Sequence, residues 1–80
     1  MRIDKFLKVS RIIVRRTVAK NACEAGRVKI NSKPAKPGDE VKIGDIIEIA
    51  FGNANVSYEV MGIKDHVLKD EADSLYKIVN

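Results

Sequence analysis

Two sets of side chains in this sequence are capable of chemistry, and they point in different directions. The first is the set an enzyme would draw on, and it is thin: His66 is the one histidine and Cys23 the one cysteine. One histidine rules out a histidine-based metal cluster, and neither zinc-ligand spacing nor a glycine-rich phosphate loop is present. Cys23 follows Ala19 by four residues on an apolar helix face, the place of a small core thiol. Reactive cysteines sit instead in exposed, electropositive surroundings. His66 follows Asp65 in a polar stretch and reads as a solvated loop residue. Asp39, Glu40 and Asp45 cluster near turns, where turn chemistry accounts for them without acid–base work. No catalytic residue, metal or cofactor is expected.

The second set is cationic: Arg2, Lys5, Arg11, Arg15, Arg16 and Lys20. Arginine presents a planar fork that grips phosphate oxygens in two places. Helix N-termini add backbone donors and partial positive charge, and Arg15 and Arg16 stand where a second helix is expected to begin. Arg16 and Lys20 are four apart and so share a helix face. Like charges there repel mildly, and a helix keeps them most easily where an anion will sit. Residues 1–36 hold eleven of the fifteen Lys and Arg against two acids, Asp4 and Glu24, and carry +9. Residues 37–80 hold four Lys and nine acids and carry −5. A concentrated cation on a small domain is the footprint of a nucleic-acid binder. Aromatics are few, and Phe6, Phe51 and Tyr58 fit core-facing slots, which leaves no platform for stacking single-stranded bases. Recognition of backbone and shape follows, which suits structured RNA. Asn21 is the only amide on the second helix, a poor basis for reading DNA bases.

The elements that must position these cations follow from periodicity. Ile3, Phe6 and Leu7 recur at helical spacing with Asp4 in the first turn, which predicts a helix over residues 3–9. Ser10–Val14 either extends it or links two helices. In the next segment Val18, Ala22 and Ala25, beside Ala19 and Cys23, form a narrow face of small side chains, and Gly26 suits the closing position. The period then drops to two. Val28 and Ile30 alternate with Arg27 and Lys29, a half-buried strand with a cationic outer face. Asn31–Ser32 reads as a turn and residues 33–39 as a Pro-punctuated loop. Val41 and Ile43 suggest a short extended piece. Residues 46–51 form a strong strand, Gly52–Asn55 a turn, and Val56, Tyr58 and Val60 alternate in the next strand. Residues 64–73 are polar and loop-like or loosely helical, before a last strand around Leu75–Val79.

Two helices followed by a small, mainly antiparallel sheet is an α+β pattern. Eighty residues make one domain with one modest core and little room for a catalytic cleft. A single cysteine allows no internal disulfide, and no apolar run suits a signal peptide or a membrane span. A cytoplasmic monomer is expected.

The ordered segments Arg2-Ile3-Asp4-Lys5-Phe6-Leu7, Arg15-Arg16-Thr17-Val18-Ala19-Lys20, Glu24-Ala25-Gly26-Arg27-Val28-Lys29-Ile30-Asn31 and Val41-Lys42-Ile43-Gly44-Asp45-Ile46-Ile47-Glu48-Ile49 resemble an S4 RNA-binding domain. The resemblance covers about residues 1–51 of a single 1–80 domain, with 52–80 as a short β extension. It implies the small S4 (αL) fold, two N-terminal helices packed on the sheet. The RIDKFLKVSR and RRTVAK segments and the SLYKIV tail further resemble the small S4 proteins of bacterial ribosome-associated quality control. That resemblance implies binding to large-subunit rRNA and peptidyl-tRNA on stalled subunits. It also implies an RqcH-type tailing factor as partner, adding alanine to the stalled chain. The RNA-contacting candidates it implies are Arg2, Asp4, Lys5, Arg11, Arg15 and Arg16, with Asp4 orienting a neighbouring arginine or capping the helix; Lys20 joins them from the reading of the second helix. The alternative within the family is a recycling factor that rescues peptidyl-tRNA without tailing; such relatives usually carry a longer basic C-terminal extension. Two further classes are a fragment of an RNA-modifying enzyme and a protein-interaction module acting through Asp65, Asp70, Glu71 and Asp73. This chain departs from the S4 pattern at Ser32, where glycine is usual. It departs again at Val14, near the point where a Ser or Thr cap is usual, which moves the expected helix start toward Ser10 or Thr17.

Overall fold

The computed structural model describes all 80 residues, Met1–Asn80. Helix α1 spans Ile3–Val9 and α2 spans Arg16–Glu24. Strands β1 (Val28–Ile30), β2 (Lys33–Pro34), β3 (Ile46–Phe51) and β4 (Ala54–Val60) follow, then a 3₁₀ helix over Lys69–Leu75 and strand β5 (Tyr76–Ile78). The five strands form one antiparallel sheet in the order β2-β1-β3-β4-β5. No helix is long and apolar enough to cross a membrane.

Helix α1 carries the bulk of the core. Ile3, Phe6 and Leu7 are fully buried and meet Val28, Ile47, Ile49 and Val60 from the sheet and Leu75 from the 3₁₀ helix. Helix α2 contributes only small side chains, Ala19, Ala22 and Cys23, whose i, i+3, i+4 spacing makes one stripe facing inward. The expected face was wider than this. Val18 is about half exposed, because it lies roughly 100° round the axis from Ala19. Ala25 is also exposed, because it lies past the last helical turn as the C-cap.

The first turn of α1 is held by a loop distant in sequence. The Ile3 N–H donates to the Asp39 carbonyl at 2.7 Å, and the Asp4 N–H to that of Pro37 at 3.3 Å. The Val41 N–H returns a bond to the Met1 carbonyl at 2.9 Å, and the amino terminus pairs with Glu40 at 2.7 Å. Backbone carbonyls thus satisfy donors that a side-chain cap would otherwise take. Val41 is buried by this arrangement and Ile43 is exposed, so the short extended piece expected there is a single bridge between Arg2 and Glu40.

Helix α1 ends at Ser10, after which Arg11 takes the left-handed conformation at φ 62°. The ambiguous 10–14 stretch is a turn, not helix. Helix α2 starts at Arg16 with Arg15 as N-cap and no side-chain cap, so neither Ser10 nor Thr17 fills that role.

The β1–β2 hairpin closes through two residues, with Ile30 opposite Lys33. Lys33–Pro34 is therefore a short edge strand, where the sequence suggested only loop. Asn31 (φ 51°) and Ser32 (φ 71°) both take left-handed backbone, the requirement of a type I′ turn. Asn31 tolerates this and also fastens the turn to β3. Its backbone N–H donates to the Ile46 carbonyl at 2.8 Å, and its Oδ1 accepts from the Ile46 N–H at 3.0 Å. Ser32 has no such compensation. Ser32→Gly should stabilise the domain by roughly 0.5–1 kcal/mol, the left-handed penalty removed less glycine's entropy. In a domain of this size that raises the thermal midpoint by about 2–8 °C in a circular-dichroism melt. An unchanged or lower midpoint would contradict this account of the turn.

Candidate nucleic-acid interface

Two cations of the N-terminal segment, Arg2 and Arg16, meet on one buried acid. Asp4 sits in the first turn of α1 with a side chain only 3% exposed. Its Oδ2 accepts from Arg2 Nη2 at 3.1 Å and its Oδ1 from Arg16 Nη2 at 3.4 Å. The same Oδ1 accepts from the Lys5 backbone N–H at 2.8 Å. Asp4 thus holds both guanidinium groups and accepts the Lys5 N–H within the first turn, while the α1 N-cap, Arg2, makes no side-chain cap bond. Arg2 precedes α1 and Arg16 opens α2, so the carboxylate ties the two helix N-termini together. Both arginines keep about half of their side-chain surface in solvent, 52% and 46%. Two guanidinium groups on one carboxylate leave a net positive charge facing outward. The Arg2 guanidinium also lies over Gly38, with a Cβ position there 3.9 Å from Arg2 Cζ.

The other four candidates are placed differently. Lys5 Nζ pairs with Asp65 at 3.2 Å, an exposed contact of the kind that contributes little to stability. Arg11, Arg15 and Lys20 are exposed and make no ion pair. Arg11 occupies left-handed backbone, φ 62°, that glycine would adopt at less cost. At α2 the Arg16, Thr17 and Val18 N–H groups find no acceptor within the chain, and the first bond of the helix is Ala19 N–H to the Arg15 carbonyl at 3.0 Å. Free donors, the helix dipole and two arginines coincide there.

Sequence reasoning did not place Lys8 on this surface. Lys8 and Arg11 line a cleft of about 180 Å³ with Asp65, His66 and Val67, so the C-terminal extension packs beside the cationic helix. Nothing local connects residues 8 and 66. Phe51, expected in the core, is 41% exposed at the end of β3. The outer face of β1 is less cationic than its sequence implied. Lys29 stands opposite Glu48 on β3, with Nζ 4.0 Å from the carboxylate.

Cys23 is buried; burial first, and then the negative charges of Asp4, Asp39 and Glu24, push its thiol up to about 11. At neutral pH it is a protonated core side chain. Tyr58 packs edge-on against Tyr76 with ring centroids 5.3 Å apart, and burial raises its hydroxyl pKa.

Comparison with known proteins places these features in a family. Residues 1–47 match the S4 domain model. A protein of Halalkalibacterium halodurans named RQC P-site tRNA stabilizing factor is 51% identical over 98% of this chain and 89% of its own length. One of the same name from Streptococcus pneumoniae is 46% identical over the whole of this chain and 91% of its own. The solved structure of Vibrio cholerae Heat Shock Protein 15, described as trimeric, superposes with a TM-score of 0.90 at 32% identity, covering 99% of this chain and 81% of that one.

Two expectations follow from the geometry. Asp4→Asn keeps the shape and the acceptor for Lys5 while raising net charge by one. If bulk charge governed anion binding, affinity for an RNA probe would rise. Because Asp4 positions Arg2 and Arg16, affinity should fall several-fold by fluorescence anisotropy, consistent with charge-assisted bonds worth about 1.5–3 kcal/mol each. Cys23 should resist alkylation in the native protein at pH 8 and react only on unfolding. Since its folded pKa is pushed above the ordinary thiol value of 9.0, the unfolded chain loses its proton first, and this group's contribution to stability is lost as pH rises from about 9 through 11. Rapid labelling of folded protein would overturn the assignment of Cys23 to the core.

Proposed function

The chain belongs to the S4 domain family, and from that premise we propose that it is a non-catalytic, cytoplasmic RNA-binding factor of ribosome-associated quality control. It binds as a single copy to large ribosomal subunits stalled with peptidyl-tRNA, contacting rRNA and the tRNA. There it holds the tRNA while an RqcH-type partner adds alanine to the unfinished chain. The observation that carries this reading is the Arg2–Asp4–Arg16 cluster. It fixes two half-exposed guanidinium groups at the meeting point of two helix N-termini, beside Arg15 and the free α2 donors. Such a surface reads phosphate position, not base identity. The near full-length similarity to proteins named RQC P-site tRNA stabilizing factor supports the ribosomal setting and the tRNA as a ligand. Lys5, Arg11 and Lys20 extend the same cationic surface.

A second reading within the S4 family is a factor that clears stalled subunits of peptidyl-tRNA without tailing. Reconstitution separates the two: stalled subunits supplied with the RqcH-type factor and alanyl-tRNA yield extended chains in one case and none in the other.

The primary test is co-sedimentation with large subunits carrying peptidyl-tRNA. Arg16→Gln keeps much of the side-chain length without setting a second carboxylate beside Asp4. It should weaken binding by at least about tenfold, the scale of one charge-assisted contact. With six cations engaged, the log–log dependence of affinity on salt should have a slope of about −4 to −5. Wild-type recovery of Arg16→Gln in the pellet at moderate salt, or a flat salt response, would defeat the proposal.

A further inference from the structure

The turn between the helices and the far end of β3 enclose a groove that phosphate gripping does not use. Ile12, Ile13, Val18, Ile49 and Phe51 line it, with Arg27 as the one charged wall, and its volume is about 210 Å³. Ile49 is buried at its floor, while Val18 and Phe51 stand half exposed at its rim. Single exposed apolar side chains are ordinary on a protein surface. Here an aromatic ring and branched aliphatics converge on one concavity, which marks a binding surface. The groove opens beside the first turn of α2, since Val18 lies two residues after Arg16 in that turn and its own N–H lacks an acceptor.

Charge decides what fits. No carboxylate lines the groove, and its neighbours along the chain are Arg15 and Arg16. The ligand that joins a flat apolar ring to a negative charge is a nucleotide. Unstacked bases lie on aromatic faces and arginine planes, while their phosphates take cations and helix N-termini. We propose that this groove is a base-docking pocket that takes one unpaired nucleobase of the bound RNA against Phe51 and Val18, with its phosphate toward the start of α2. The proposal rests on the RNA-binding reading and deepens it: the protein distinguishes helices with an extruded base from uninterrupted ones. It also reverses the expectation that no aromatic surface is free for stacking.

The test uses the full chain and two RNA hairpins of equal length, one fully paired and one with a single bulged 2-aminopurine. Wild type should bind the bulged hairpin roughly tenfold more tightly and change the fluorescence of the 2-aminopurine, as expected for one stacked base. Phe51→Ala should bind both hairpins with the paired-hairpin affinity, and Phe51→Trp should keep the preference. Val18→Lys, at an exposed helix position, fills the groove while adding a cation; it should lose the preference even if Phe51→Ala does not fold. Arg16→Gln should weaken both hairpins by the same factor. Equal affinity of wild type for the two hairpins, or a preference that survives both Phe51→Ala and Val18→Lys, overturns the pocket and leaves phosphate binding standing. Binding of neither hairpin removes the RNA-binding reading and the pocket with it.

Discussion

A single buried carboxylate governs the arrangement of this protein's cationic surface. Asp4 accepts one backbone and two guanidinium donors while almost wholly withdrawn from water. A buried charge of this kind is tolerable only when its partners are in place. That requirement works in both directions. The two arginines satisfy the acid, and the acid stops two long, flexible side chains from sampling solvent. Without it the N-terminal segment would be a diffuse positive cloud, able to attract a polyanion and unable to register on one.

The fold supplies the setting for that interaction with very little material. The small side chains of α2 let it lie close to α1, and that closeness brings Arg16 within reach of an acid twelve residues earlier. The 37–41 loop occupies the first N–H groups of α1, so that helix start is closed to a ligand. The start of α2 has no such cover. The two helices therefore differ in role: α1 supplies the core and the organising acid, and α2 presents donors outward. The C-terminal extension adds a wall, with Asp65 on Lys5 and His66 beside Lys8 and Arg11.

Two kinds of surface then lie side by side. The braced arginines and the free α2 donors suit phosphate oxygens, and the groove around Phe51 suits a flat apolar ring. A ligand carrying both at nucleotide spacing is RNA in which a base has left the stack, which is common at bulges, loops and tRNA ends.

What the sequence determined was whatever depends on neighbours along the chain. The α1 boundaries, the Val28–Ile30 and β3 strands, the Val56–Val60 part of β4, the Asn31–Ser32 turn and the core positions of Phe6 and Cys23 follow from periods of 3.6 and 2 and from turn chemistry, whereas Ala54 and Asn55, expected in the turn, pair with Phe51 and Ala50 as the start of β4. The charge division and the candidate cations are also composition read in order. The local signals misled where a face is shared between elements: Val18 and Phe51 are apolar and in phase, yet the sheet and α1 fill the core before reaching them. The two-residue β2 strand exists only because β1 pairs with it. Only the tertiary structure decided which cations act together. The Arg2–Asp4–Arg16 contact, the partner of Lys29 and the meeting of residue 8 with residue 66 each require elements distant in sequence to pack. Periodicity fixes which way a side chain points on its own element, and packing alone fixes what it meets there.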